Sequence, residues 1–172
     1  MTIYVLMAGL PGTGKTTLAK ALSERLNSTV LNKDEIRAAL FPGKLTDYTR
    51  EQDDLVFNAI LQAANYLAIR NRTEFIFLDG RTFSRREQVE QAVHAAEIAG
   101  CPWRILYTTV PEGVAEARLR FDSNTHPAVN RTIEMYREVR GRFEPIEHPL
   151  LQIDTSQSLE LCVSQTLEYL VA

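Results

Sequence analysis

The residues Gly9-Leu10-Pro11-Gly12-Thr13-Gly14-Lys15-Thr16 hold the densest chemistry in this chain. Their order fits the spacing G-x-x-x-x-G-K-[ST], which wraps phosphate oxygens in backbone N–H groups. Glycine at positions 9, 12 and 14 lets the main chain bend closely around such oxygens, where a Cβ would obstruct it. Lys15 offers a point charge suited to β- and γ-phosphates, and the Thr16 hydroxyl suits a phosphate-bound Mg²⁺. Gly12, Thr13, Gly14, Lys15, Thr16 and Thr17 are the expected nucleotide-binding residues. The plainer reading is a glycine turn that only joins a strand to a helix, and the flanks argue against it. An apolar strand-like run, residues 3–8, precedes the loop, and Leu18, Ala21, Leu22 and Leu26 follow at helical spacing across 15–26. Strand, loop and helix are the context that a phosphate cradle needs.

The elements around this loop read as an alternating α/β chain. Apolar runs recur at 3–8, 28–32, 75–79, 103–110 and 150–154, with helical periodicity between them, which implies a parallel sheet. Thr49-Arg50-Glu51-Gln52 and Ser84-Arg85-Arg86-Glu87 have capping-box spacing. Val56, Ile60, Ala63, Ala64 and Leu67 then trace one helix face, and Val89, Val93, Ala96 and Ala99 another, stopped by Gly100 and Pro102. A last helix, 158–170, is expected to turn Leu161, Leu167 and Leu170 inward. Between the last two strands, helical segments at 111–121 and 129–143 flank the turn-rich stretch 122–127. A lid over the nucleotide belongs there, at 111–143. It carries Arg118, Arg120, Arg131, Arg137, Arg140 and Arg142, for which solvated faces paired with Glu116, Glu134 and Glu138 are the competing role.

Ligands of such sheets bind beyond the carboxyl ends of the strands, so charged residues at those ends are the candidates. Asp79 closes the third apolar run before Gly80 and has the position of a metal-assisting carboxylate, although aspartate before glycine is also a common turn. Asp34 follows the second run and opens a helix, a place where aspartate often serves only as N-cap. Its chemical reading is that the carboxylate receives a proton from an acceptor hydroxyl while Arg37, three residues on, clamps the acceptor. Aspartate is a weak base, but phosphoryl transfer depends more on orienting the nucleophile than on early proton removal. His94, His126 and His148 read as structural or surface residues, and no nucleophile beside a base suggests a covalent intermediate.

The totals narrow the classes. The chain has 172 residues, 45% of them apolar, which fits one globular domain with a substantial core. A formal charge of −3 disfavours a broad duplex-binding surface and leaves room for a local basic groove. Cys101 and Cys162 lie in neither zinc nor C-x-x-C spacing and read as small core residues of a reducing compartment. No apolar run has the length of a membrane span, and the first strand begins at Ile3, so a cytoplasmic protein without a leader is expected.

Four segments, GLPGTGKTTLAK at 9–20, LNKDEIRAALF at 31–41, FIFLDGRTFSRREQ at 75–88 and the arginine-rich 117–146, resemble the small P-loop kinases that include the phage-type polynucleotide kinase domain and the zeta-toxin-like kinases. That resemblance implies a three-layer α/β/α P-loop fold over 1–172 with a five-stranded parallel sheet of order 2-3-1-4-5. It implies ATP and Mg²⁺, Asp34 as general base, Arg37 on the acceptor, Asp79 beside the metal and Arg118 as a lid arginine. Such lids often place a second arginine four residues after the first. Here that position is Asp122, leaving Arg120, Arg131 or a single-arginine lid. Arg81 and Arg85 are the candidates for the acceptor pocket. Tyr136 and Phe143-Glu144-Pro145 also match, and read as packing. The implied activity is transfer of the ATP γ-phosphate to a hydroxyl of a small or nucleotide-like acceptor. Its rivals are a polynucleotide 5′-hydroxyl kinase, which needs a basic groove and a stacking aromatic, a regulatory nucleotide switch, which has no use for an acceptor clamp, and a toxin acting on a sugar nucleotide.

Overall fold

Five parallel strands, β1 (Ile3–Ala8), β2 (Ser28–Asn32), β3 (Phe75–Asp79), β4 (Trp103–Thr109) and β5 (Leu151–Asp154), pair in the order β2-β3-β1-β4-β5. This is the expected order. A parallel pair needs a crossover, and helices supply it: α1 (Lys15–Ser23), α2 (Lys33–Leu40), α3 (Arg50–Ile69), α4 (Arg86–Ile98), α5 (Glu112–Asp122), α6 (Ile133–Gly141) and α7 (Leu159–Val171). The computed structural model describes residues 1–122 and 132–171, so His126 and Arg131 lie outside the described residues.

Alternation along β1 builds two cores. Tyr4, Leu6 and Ala8 face α3 and α4, while Val5 and Met7 face α1 and α7. All five of these side chains are fully buried, so β1 is covered on both faces, as a central parallel strand must be. A third, smaller cluster of Ala115, Leu119 and Tyr136 joins α5 to α6, which gives Tyr136 the packing role expected of it. Among the described residues no helix is long and apolar enough to cross a membrane.

Several helix faces differ from the sequence expectation. Leu161 is exposed, and α7 instead buries Cys162, Val163, Thr166 and Leu170. Residues 161 and 170 are nine apart, which at about 100° per residue sets them on opposite sides of a helix. Ala63 is likewise exposed, and α3 buries Val56, Phe57, Ile60, Leu61, Ala64 and Ala68. Helix α1 stops at Ser23, where the Arg25 and Leu26 N–H groups both close onto Leu22 O, at 3.0 and 3.1 Å. Thr49 caps α3 as expected, its hydroxyl accepting from Gln52 N. Ser84 does not cap α4. The helix begins at Arg86, whose N–H donates to Glu144 Oε2 at 2.5 Å, while Glu144 N donates to Ser84 O at 2.9 Å. A carboxylate from the segment after α6 thus satisfies the first turn of α4 and ties that segment to the helix.

Candidate active site

The phosphate loop joins β1 to α1, and the reason for its glycines is measurable. Gly9 has φ +137°, and a Cβ there would stand 2.5 Å from Thr108 O, so no side chain fits. Gly14, with φ +82°, occupies the N-cap position of α1 without a side-chain cap, and the first turn contains no acidic residue. The helix therefore presents unpaired N–H groups and the positive end of its dipole to whatever lies in the loop. Lys15 is buried, with Nζ donating to Gly9 O at 2.8 Å and Leu10 O at 2.7 Å. Thr13 is a brace: its hydroxyl bonds Leu10 O and Thr108 Oγ1, both at 2.7 Å, and its carbonyl accepts from Thr155 Oγ1 at 2.7 Å. Only its main-chain N–H is then available to a phosphate. Thr16 and Thr17 line the cavity, half-buried and exposed respectively.

That cavity, of about 1180 Å³, runs from the loop to α2, the β3–α4 connection and the end of α6. On its far wall Asn32 ties α2 to the end of β3. Its Oδ1 accepts from Asp34 N at 2.9 Å and Glu35 N at 3.0 Å, so Asn32, not Asp34, caps α2. This frees the Asp34 carboxylate, which lines the cavity together with Lys15 and lies 3.6 Å from Arg37 Nη1. The other end of Asn32 donates to Asp79 Oδ2 at 2.6 Å, across the register pair that β2 and β3 make at that point.

Asp79 itself is only 1% exposed, does not reach the cavity wall, and keeps Oδ1 buried without a hydrogen-bond partner. An orphaned carboxylate oxygen beside a phosphate cradle is the feature that fits a hydrated Mg²⁺, which binds through one or two carboxylates and substrate phosphates. Among the described residues no cluster of three or more His, Cys, Asp or Glu forms a separate metal cage. Gly80 follows with φ +82°, and a Cβ there would meet Lys33 N at 2.8 Å, so the exit of β3 packs directly on the first turn of α2.

Three buried cations complete the far wall. Arg37 is 3% exposed and pairs with Asp53 and Asp34, its guanidinium 5.0 Å from the Tyr48 ring centre. Lys33 Nζ donates to Asp53 Oδ1 at 3.0 Å, and burial outweighs nearby Asp34 to push its ammonium down to about 8. Arg81 Nη2 donates to Asp54 Oδ1 at 2.8 Å over the face of Phe57 at 4.4 Å. Burial lowers Arg37 and Arg81 from the usual arginine range as well.

The remaining arginines divide. Arg118, half-buried on α5, reaches the loop, donating to Thr155 Oγ1 at 3.0 Å and Thr155 O at 2.7 Å, with Nη1 3.4 Å from where a Cβ on Gly14 would stand. Arg85 lines the cavity near Glu87 at 3.5 Å. Arg120 does not join them: it is exposed, lies off the cavity wall and faces Glu116 at 3.9 Å. Arg142, at the end of α6, does line the cavity and pairs with Glu138 at 2.8 Å. By sequence alone Asn32, Lys33 and Asp53 have no role in this site, and Arg142 stands only among the arginines of the segment 111–143. The signal for Asn32 was its place in the Asn-x-Asp-x-x-Arg segment, two residues before the helix acid.

Residues 5–146 match the model of a family described as an AAA domain, which is most of the chain. The chain belongs to that family. Solved structures share the P-loop kinase architecture at low identity. A candidate kinase from Chloroflexus aurantiacus is 20% identical, with 97% of each chain covered and a TM-score of 0.75. The APS kinase CysC of Mycobacterium tuberculosis, solved with AMPPNP and APS, is 16% identical over 99% of this chain and 98% of that one, at 0.72. A gluconokinase from Sinorhizobium meliloti is 17% identical over 97% and 89%, at 0.67. At these identities the likeness establishes the fold. A comparison with curated proteins finds no match.

Proposed function

We propose that this protein is an ATP-dependent kinase that moves the γ-phosphate of ATP to a hydroxyl of a small or nucleotide-like acceptor. The observation that carries the reading is the single cavity lined by Lys15 on one side and by Asp34 with Arg37 on the other, with Asn32 doing the capping that Asp34 would otherwise do. A loop that only held a nucleotide would need no acid and cation opposite it.

In this reading the triphosphate lies along Gly12 to Thr17, held by main-chain N–H groups, the α1 dipole and Lys15. Thr16 and Asp79 are the residues that would hold Mg²⁺, which supplies charge neutralisation on the phosphate oxygens when bound. Asp34 accepts a hydrogen bond from the acceptor hydroxyl and points its oxygen at the phosphorus, taking the proton as the bond to the leaving oxygen loosens. Arg37 fixes the acceptor. Arg118 lies where the loop meets α5 and neutralises charge on the transferring group as α5 and α6 close over it, a movement that keeps water out. Two structures with this fold bear the names of small-molecule kinases, which supports a small acceptor over a polynucleotide. A cytoplasmic protein drawing on the ATP pool is the setting this requires.

The test is ADP release, with identification of the phosphorylated product, across alcohols, sugars, sugar acids, nucleosides and 5′-hydroxyl oligonucleotides. Stimulation by an acceptor and its loss in Asp34→Ala support the kinase. Acceptor-independent hydrolysis unaffected by Asp34→Ala supports the nucleotide switch.

A further inference from the structure

The far wall of the cavity gathers cations that share their carboxylate partners rather than each having its own. Lys33, Arg37, Arg50, Arg81 and Arg85 share Asp53, Asp54 and Glu87. Asp34 and Asp47 add their charge on Arg37, so five cations and five carboxylates are interleaved on this wall. Arg50 is exposed, but Lys33, Arg37 and Arg81 are 8%, 3% and 7% exposed as residues, deeper than the side chains of Asp53, Asp54 and Glu87 at 32%, 41% and 57%.

Two buried donors are also left over. Arg81 binds Asp54 through Nη2 alone, and its Nη1 is buried without a hydrogen-bond partner. Arg37 Nε is buried and unpartnered too. Buried polar groups are almost always satisfied, and a guanidinium donor left bare is among the costlier exceptions. Both arginines line the cavity, and both rest on a ring, Arg81 over Phe57 and Arg37 over Tyr48. Preorganised guanidinium groups with spare donors match planar or tetrahedral oxyanions, which accept two N–H bonds side by side. A neutral polyol can accept single hydrogen bonds from these donors but not the paired, charge-assisted ones that an oxyanion accepts.

We propose that the acceptor carries an anionic group, a carboxylate or a phosphate, which Arg81 and Arg37 bind while its hydroxyl faces Asp34. This rests on the kinase reading for the hydroxyl, but the anion subsite is testable without it.

Two measurements separate the two. In the first, product formation is compared at constant ionic strength within matched pairs: gluconate and glucitol, glycerate and glycerol, a nucleoside 3′-phosphate and its nucleoside, with a 5′-hydroxyl oligonucleotide added to tell a free phosphate from a polynucleotide one. The anionic member is expected to have kcat/KM higher by about tenfold to a hundredfold, the worth of a charge-assisted contact. In the second, inorganic phosphate is titrated calorimetrically into protein whose loop is already filled with Mg²⁺ and AMPPNP. One phosphate is expected to bind, with affinity at least about tenfold weaker in Arg81→Met, whose apolar stem keeps the Phe57 contact, and partly restored in Arg81→Lys. Unchanged AMPPNP binding and circular dichroism check that the variants fold, and Arg37→Met repeats the test at the second donor.

Equal turnover of both members of a pair overturns the anionic acceptor and leaves the kinase standing. Phosphate binding that depends on Arg81, with no phosphorylated product from any compound, keeps the anion subsite and removes the kinase. Absence of phosphate binding beside a filled loop overturns the subsite directly.

Discussion

Replacing Asn32 with alanine removes two interactions made by opposite ends of one buried side chain. Its oxygen caps α2 by accepting from Asp34 N and Glu35 N, and loss of such a cap costs about 1 kcal/mol. Its amide nitrogen donates to Asp79 Oδ2 at 2.6 Å, a hydrogen bond to a charged group worth about 1.5 to 3 kcal/mol. Asp79 is 1% exposed and already lacks a partner on Oδ1, so losing this donor leaves the buried carboxylate further short of hydrogen bonds. Asn32→Ala should therefore lose roughly 3 kcal/mol, a large part of the 5 to 15 kcal/mol typical of a domain. Asn32→Ser keeps a capping hydroxyl but is too short to reach Asp79 as well, so it should lose about 2 kcal/mol, the remaining 1 kcal/mol being the cap. Urea unfolding followed by circular dichroism measures both, with the slope against denaturant unchanged if the effect is on stability alone. A loss below about 1 kcal/mol for Asn32→Ala, or equal losses for the two variants, would refute the double role of this residue.

Other consequences follow from the same wall. Gly80→Ala places a Cβ 2.8 Å from Lys33 N at φ +82°, so it should destabilise the fold by more than about 1 kcal/mol, the left-handed penalty alone, as chemical denaturation will register. Lys33 holds its proton less tightly when folded, about 8 against an ordinary 10.5, so its cost to stability is full below about pH 8 and is relieved as pH rises toward 10.5. Wild type should therefore gain up to about 3 kcal/mol relative to Lys33→Met over that window, and parallel stability curves would contradict the buried ammonium. Arg118→Ala removes the arginine that joins α5 to Thr155 beside Gly14, and is expected to lower kcat/KM for ATP at least about tenfold with the fold intact. Steady-state kinetics at fixed acceptor would detect it.

The sheet and the loop were legible because their signals are local. A run of apolar residues before Gly9 and helical spacing after Lys15 fix a strand, a turn and a helix within one stretch of chain, and the alternation of such units fixes a parallel sheet. What sequence could not supply was the choice among long-range partners. Ser84 has the spacing of a cap, yet Glu144, fifty-eight residues from Arg86, takes that place. Aspartate and asparagine are equally good caps, so nothing local assigned the task to Asn32 and released Asp34. Likewise Leu161 and Leu170 read as one face from composition, although the helical period sets them on opposite sides. The buried cations were least legible of all, since Arg81 in a polar segment gives no sign that Phe57 and Asp54 will enclose it.

The most direct measurement is single-turnover transfer from labelled ATP to the best acceptor, in wild type and in Asp34→Asn, with nucleotide affinity determined alongside. If Asp34 orients the hydroxyl, transfer falls by about a hundredfold or more while ATP binds as before. Transfer at the wild-type rate in Asp34→Asn would contradict that role.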